Sequence, residues 1–177
     1  ESFDSWIYSL NTKVGRLFFG FFIILFAYNA YSISNTLSSQ VLGTAELNAI
    51  NWVKSNTDKT DSFLILDEQD NLLLSPLTEW FPALTNRRSI ATIQGTEWLS
   101  KDKHYNKQFP VINSLHSCLY GDTNCLKYFN NKFTDKYKYI VISAKNSVPL
   151  LASLENNSGF TLVYSSPTIK IFRSNTK

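Results

Sequence analysis

The chain has 177 residues, a formal net charge of +3 and 18% charged residues. Those charges are spread along it with no basic run, which leaves no electrostatic footprint for nucleic acid. With 6 glycines and 5 prolines it has little material for long disordered linkers. It begins at Glu1 and contains no methionine, as expected of a fragment or a trimmed chain.

Residues 1–12, ESFDSWIYSLNT, mix aromatic and polar side chains and read as a cytoplasmic or interfacial segment, with Trp6 and Tyr8 suited to the headgroup zone. From Leu17 to Ile33 the run LFFGFFIILFAYNAYSI carries no charge. At about 1.5 Å per residue it gives roughly 26 Å of helix, slightly under the hydrocarbon thickness of a bilayer. Uncharged residues continue beyond it, so a transmembrane helix is expected over 13–37. The run is apolar on every face, unlike a core helix, and it is longer than the apolar part of a signal peptide. Lys13 and Arg16 precede it, and the next cation is Lys54. The excess of positive charge on the cytoplasmic side then places the protein in the cell membrane with its N-terminal end cytoplasmic and the C-terminal domain outside.

Residues 43–177 read as one soluble α/β domain. TAELNAINWVKSN has Leu47, Ile50 and Val53 at helical spacing, with Thr44 as a candidate cap. SFLILD, 62–67, is a buried strand with the acidic exit DEQDN. Ser75-Pro76 starts a helix that is expected to break at Pro82, and RSIATI, 88–93, is a second strand. Helices follow after Pro110 and after Asp122, the latter as N-cap. YKYIVISA, 137–144, is a strand, and SVPLLASLENN is a helix stopped at Asn157-Ser158-Gly159. FTLVYSS and TIKIFRS form a hairpin about Ser166-Pro167. The second of these alternates Ile169 and Ile171 with Lys170 and Arg173, and reads as an edge strand with one wet face. The alternation of elements predicts a three-layer, mostly parallel sheet of about five strands with a C-terminal antiparallel hairpin.

The chain has no glycine-rich dinucleotide fingerprint, no P-loop, no G-x-S-x-G elbow and no HExxH. No cofactor and no metal site is expected. Asp67, Glu68 and Asp70 stand at a strand exit, where ligands bind in open sheets, but such a turn is more often simply solvated. His104 and His116 stand apart from each other and from any acid in the sequence. Cys118 and Cys125, with six residues between them, could pair outside the membrane, remain as thiols, or bind metal with His116. The densest cluster is EWFPALTNRRSIATIQGTEWL, 79–99, which repeats Glu-Trp around two arginines. Glu79, Trp80, Arg87, Arg88, Glu97 and Trp98 are therefore candidate ligand-binding residues, because tryptophan faces stack on sugars while Glu and Arg hold hydroxyls or phosphate. The bland alternative is packing at a sheet end with Glu–Arg ties between loops.

That cluster, with the ending FTLVYSSPTIKIFR and the cysteines in SCLYGDTNCLKYF, resembles the extracytoplasmic C-terminal domain of bacterial GT-C type membrane glycosyltransferases of the dolichyl-phosphate-mannose mannosyltransferase-like group. The resemblance covers about residues 13–177, a last span plus the outer domain. It implies an integral membrane glycosyltransferase that transfers sugar, with inversion, from a polyprenyl-phosphate donor to a saccharide or protein acceptor. It also implies that the catalytic residues lie outside this chain, so none is assigned here. The alternative is a non-catalytic, membrane-anchored α/β binding or scaffold module.

Overall fold

The computed structural model describes residues 12–38, 41–69, 71–93, 104–130, 136–144 and 148–175. The chain divides into two compact units, Glu1–Val41 and Leu42–Lys177.

The first unit is a helix, α1, over Lys13–Ser38. Its stretch Lys13–Asn35 has a mean hydropathy of 1.7 and none of it is buried, so it is long and apolar enough to cross a membrane. Among the described residues its phenylalanines are exposed and contact one another along the helix, Phe18 against Phe22 at 4.8 Å between ring centroids.

The second unit is an α/β domain. In chain order it holds α2 (Thr44–Asn56), β1 (Ser62–Asp67), a 3-10 turn (Leu72–Leu74), α3 (Pro76–Thr85) and β2 (Arg88–Ser89). These are followed by α4 (His104–His116), a second 3-10 turn (Ser117–Tyr120), α5 (Thr123–Asn130), β3 (Tyr139–Ser143), α6 (Pro149–Glu155), β4 (Phe160–Ser165) and β5 (Ile169–Ser174). The five strands form one sheet in the order β2-β1-β3-β5-β4. β1 pairs in parallel with β2 and β3, whereas β5 is antiparallel to both β3 and β4, so the sheet is mixed.

Alternation along the strands sends side chains to two separate cores. Phe63, Ile65, Tyr139, Val141, Ile169 and Ile171 meet α2 and α3 on one face. Leu64, Leu66, Ile140, Ile142 and Phe172 meet α4, α5 and α6 on the other. β1 and β3 are buried on both faces, which is why SFLILD and YIVIS are unbroken apolar runs.

Several expectations need correction. The strand expected over 88–93 is paired only at Arg88 and Ser89, although the Ile90 N–H still donates to Phe63 O at 3.0 Å. β5 is an interior strand, and β4 is the edge. The parity of a strand also separates Lys170 from Arg173, because residues an odd number apart point to opposite faces. Ile169 and Ile171 fill one core while Phe172 fills the other, so β5 has no wholly wet face. Thr44 is not a cap: it is the first helical residue, and Gly43 holds the cap position with no side chain to offer.

The helix at 76–85 runs through Pro82 without breaking. Proline lacks the N–H that would satisfy the carbonyl four residues earlier. That carbonyl belongs to Thr78, and the Thr92 hydroxyl donates to it at 3.4 Å. The Ser75 N-cap and Pro76 in the first turn are as expected, and α3 ends on Asn86, which takes the left-handed conformation at φ 53°. Asp122 caps α5, its Oδ1 accepting from the N–H groups of Asn124 and Cys125.

Cys118 and Cys125 form a disulfide with Cα atoms 5.6 Å apart, which leaves no thiolate for a metal. It ties the second 3-10 turn to α5 beneath the core that contains Leu119 and Leu126. Replacing both cysteines by alanine is expected to lower the unfolding free energy by about 2.5 kcal/mol, the loop-closure value for a ring this small. Urea titration of the native and doubly substituted chains measures it, and unchanged stability would contradict the expectation.

Candidate functional site

The chain leaves β1 toward α3 on one face of the sheet and leaves β3 toward α6 on the opposite face. Adjacent parallel strands whose connections diverge in this way open a crevice at their carboxyl ends, the usual ligand position in open α/β sheets. Asp67 and Ser143 are in register as the last residues of these two strands. The expectation of a solvated turn fails for Asp67, which is buried.

Its carboxylate points toward the N-terminus of α3. The Ser75 hydroxyl donates to Asp67 Oδ2 at 2.5 Å. Ser75 Oγ also accepts from the Thr78 N–H at 3.2 Å and lies 2.8 Å from Thr78 Oγ1. Ser75 has one proton and gives it to Asp67, so Thr78 is the donor in the hydroxyl pair. One serine thus caps a helix and anchors a carboxylate together. Burial holds the Asp67 carboxyl above its usual range, against the opposing pull of the Ser75 and Ser143 hydroxyls, and the charge of Glu46 adds to the rise.

On the other face of β1, His116 ends α4 with Nδ1 at 3.2 Å from the Asp67 backbone oxygen. A carbonyl can only accept, so in the neutral ring Nδ1 carries the proton and Nε2 presents a lone pair. Nε2 is buried without a hydrogen-bond partner. Burial lowers the His116 pKa to about 4, the hydrogen bond to Asp67 opposing, so the ring is neutral at pH 7. A carboxyl of raised pKa and a neutral imidazole with an unused acceptor therefore flank the end of one strand. The carboxylate faces α3 while the imidazole sits on the opposite face of the sheet, so the two meet only through the Asp67 backbone oxygen. The sequence reading set His116 apart from any acid; its partner is a backbone oxygen 49 residues away, for which the chain carries no local signal. Ser75 was legible as a helix cap, but its second bond to Asp67 was not.

The Glu-Trp and arginine cluster is distributed differently. Glu79 and Trp80 lie exposed at the start of α3. Arg88 is exposed at the start of β2. Arg87 is buried, and its guanidinium is committed within the fold. Nε donates to Thr57 Oγ1, one terminal nitrogen to the carbonyls of Thr85 and Asn86, and the other to those of Lys54 and Thr57. All five N–H groups thus go to oxygens at the C-terminal ends of α2 and α3, and none remains for a ligand. Arg87 is a clamp between helix ends rather than a binding residue. Glu97, Trp98 and Asp70 lie outside the described residues, as does the side chain of His104. Among the described residues no three His, Cys, Asp or Glu side chains converge as metal ligands.

The two titrations act in opposite directions. Unfolded His116 takes up a proton near pH 6.5, but the folded residue does so only near pH 4. Its contribution to stability is full above pH 6.5 and is lost as pH falls toward 4. Asp67, with its folded pKa above 3.8, stabilises most below that value and loses the contribution as pH rises through the folded pKa. His116→Asn keeps a donor for the Asp67 carbonyl and removes the titration. Urea unfolding across this range is expected to show a shallower acid loss in the variant, and equal slopes would refute the assignment.

Comparison with protein-family models, with curated proteins and with solved structures finds no match to this chain.

Proposed function

We propose that the chain supplies a transmembrane helix and the extracytoplasmic α/β domain of an integral membrane glycosyltransferase. In this reading the enzyme uses a polyprenyl-phosphate-linked sugar and a saccharide or protein acceptor, and its catalytic acid lies in other parts of the protein. The domain, a mixed sheet clothed by helices as a three-layer unit, guides the acceptor or supports the spans. The observation that carries the reading is the direct succession of an exposed apolar helix and a disulfide-bearing domain. A disulfide suits an oxidising outer compartment. Lys13 and Arg16 before the apolar run favour a cytoplasmic N-terminal end. The resemblance of residues 79–99 and of the closing hairpin to GT-C type domains supplies the activity.

The test uses membranes from cells that carry the whole gene. Transfer of labelled sugar from a polyprenyl-phosphate donor is expected to disappear on deletion of the gene and to fall when residues 42–177 are removed. Unchanged transfer in both cases would leave a membrane-anchored binding or scaffold module. Orientation is read from Lys59→Cys, an exposed position, with a membrane-impermeant thiol reagent. Labelling in intact cells is expected; labelling only after lysis would reverse the topology.

A further inference from the structure

The apolar run of α1 carries a side-chain amide, Asn29. It lies about 18 Å along the helix axis from Leu17, within a hydrocarbon layer about 30 Å thick in any bilayer that α1 crosses. Water does not serve an amide at that depth, so its hydrogen-bonding groups need protein partners. Asn29 Nδ2 donates to the Leu25 carbonyl at 2.8 Å, which uses one of the amide's two protons. Among the described residues the other proton and Oδ1 have no partner.

Asn29 also belongs to a definite face. Phe18, Phe22, Leu25, Asn29 and Ser32 follow one another at alternate steps of four and three residues, the spacing that keeps one seam against a neighbouring helix. All five are exposed on α1. Ala27 lies on the opposite side of the helix, about half a turn from Phe18.

Lipid tails are as apolar as leucine, so an apolar seam alone gives two spans little reason to pair. The amide supplies the reason and selects the partner. It is donor and acceptor together, so it complements a copy of itself. Two copies of this chain insert with the same orientation, which brings Asn29 to the same depth in both. Across a two-fold axis each remaining Nδ2 proton meets the other copy's Oδ1, and both orphaned groups are satisfied at once. A helix of another kind would need its own polar group placed at that depth.

We propose that α1 pairs in parallel with α1 of a second copy, with the seam from Phe18 to Ser32 at the contact and Asn29 hydrogen-bonded to its counterpart. The inference rests on reading α1 as a span.

The experiment uses the full chain in phosphatidylcholine vesicles. Among the described residues no cysteine is free, so Lys59→Cys, exposed in the domain, takes a donor or an acceptor fluorophore. Energy transfer above the level of random encounter is expected, and added unlabelled chain is expected to reduce it. Asn29→Leu keeps the size and the span, and is expected to weaken association about tenfold, as for the loss of an interhelical hydrogen bond. Asn29→Gln keeps the amide and is expected to restore most of the association, while Ala27→Leu leaves it unchanged. Transfer no greater than random encounter would overturn the pairing. So would an Asn29→Leu form that associates like the native chain, or an Ala27→Leu form weakened as much as Asn29→Leu. The span is read separately from Ile24→Cys carrying a fluorophore, with lipids that bear a nitroxide near the bilayer centre. Quenching at position 24 without pairing removes the pairing and leaves the span. No quenching there overturns the span and the pairing together.

Discussion

Replacing Phe63 by alanine is expected to lower the unfolding free energy of the domain by about 4 kcal/mol, the middle of the range for buried phenylalanines. Phe63 has no exposed surface. Its ring stacks on Tyr139 of the adjacent strand, with centroids 5.0 Å apart and planes 12° apart. It also meets Phe81 of α3 at 5.2 Å. Removing it thus opens a cavity where β1, β3 and α3 join and cancels two aromatic pairs, each worth about 1 kcal/mol beyond its buried area. Domains of this size are stable by about 5–15 kcal/mol, so the variant sits near the margin of folding. Phe63→Leu refills most of the space and is expected to cost about half as much. Urea unfolding followed by circular dichroism measures both, and an alanine cost below about 1 kcal/mol would mean that the ring is not a keystone of this core.

Arg87→Ala is expected to cost about 3 kcal/mol, through lost hydrogen bonds to the ends of two helices. A hydrogen bond to a charged group contributes about 1.5–3 kcal/mol net, and a buried acceptor left without its donor costs about 1–3 kcal/mol more. The carbonyls of Lys54, Thr57, Thr85 and Asn86 all lose a donor in this variant. Part of that loss is recovered where water reaches the helix ends, which keeps the total well below the sum. Arg87→Lys is expected to rescue only a minority of it. A lysine ammonium has three donors on a flexible stem and cannot fork between two helix ends as a planar guanidinium does. Equal stability of the lysine and arginine forms in urea would argue that charge alone, and not the fork, joins α2 to α3.

Periodicity and caps made most elements legible. SFLILD and YIVIS are continuous apolar runs because both faces of their strands are buried, and Ser75-Pro76 begins a helix where the spacing predicts one. Strand order was less so. The alternation in IKIFRS looked like an edge because lysine and arginine were counted as one wet face, but their odd spacing divides them between the two faces. The fate of Pro82 was also hidden. A proline normally breaks a helix through its orphaned carbonyl, and here the donor comes from Thr92, outside the helix altogether. The same holds for Arg87. Two adjacent arginines between two Glu-Trp pairs suit a ligand by composition, but the carbonyls that claim Arg87 belong partly to a helix 30 residues earlier. The Asp67 and His116 arrangement was half visible. The acid stood at a strand exit, while the imidazole is delivered by a helix from the opposite layer.

The position of β5 constrains how the domain is made. β4 pairs with β5 alone, and β5 with both β4 and β3. During synthesis β4 emerges first and has no neighbour to bind, because the slot beside β3 belongs to a strand not yet made. Two of the five strands must therefore wait for the β4–β5 hairpin, with one flank of β3 unpaired until it forms. A ribosome stalled before Ile169 would hold not a domain lacking its border but one lacking two strands and the closing wall of both cores.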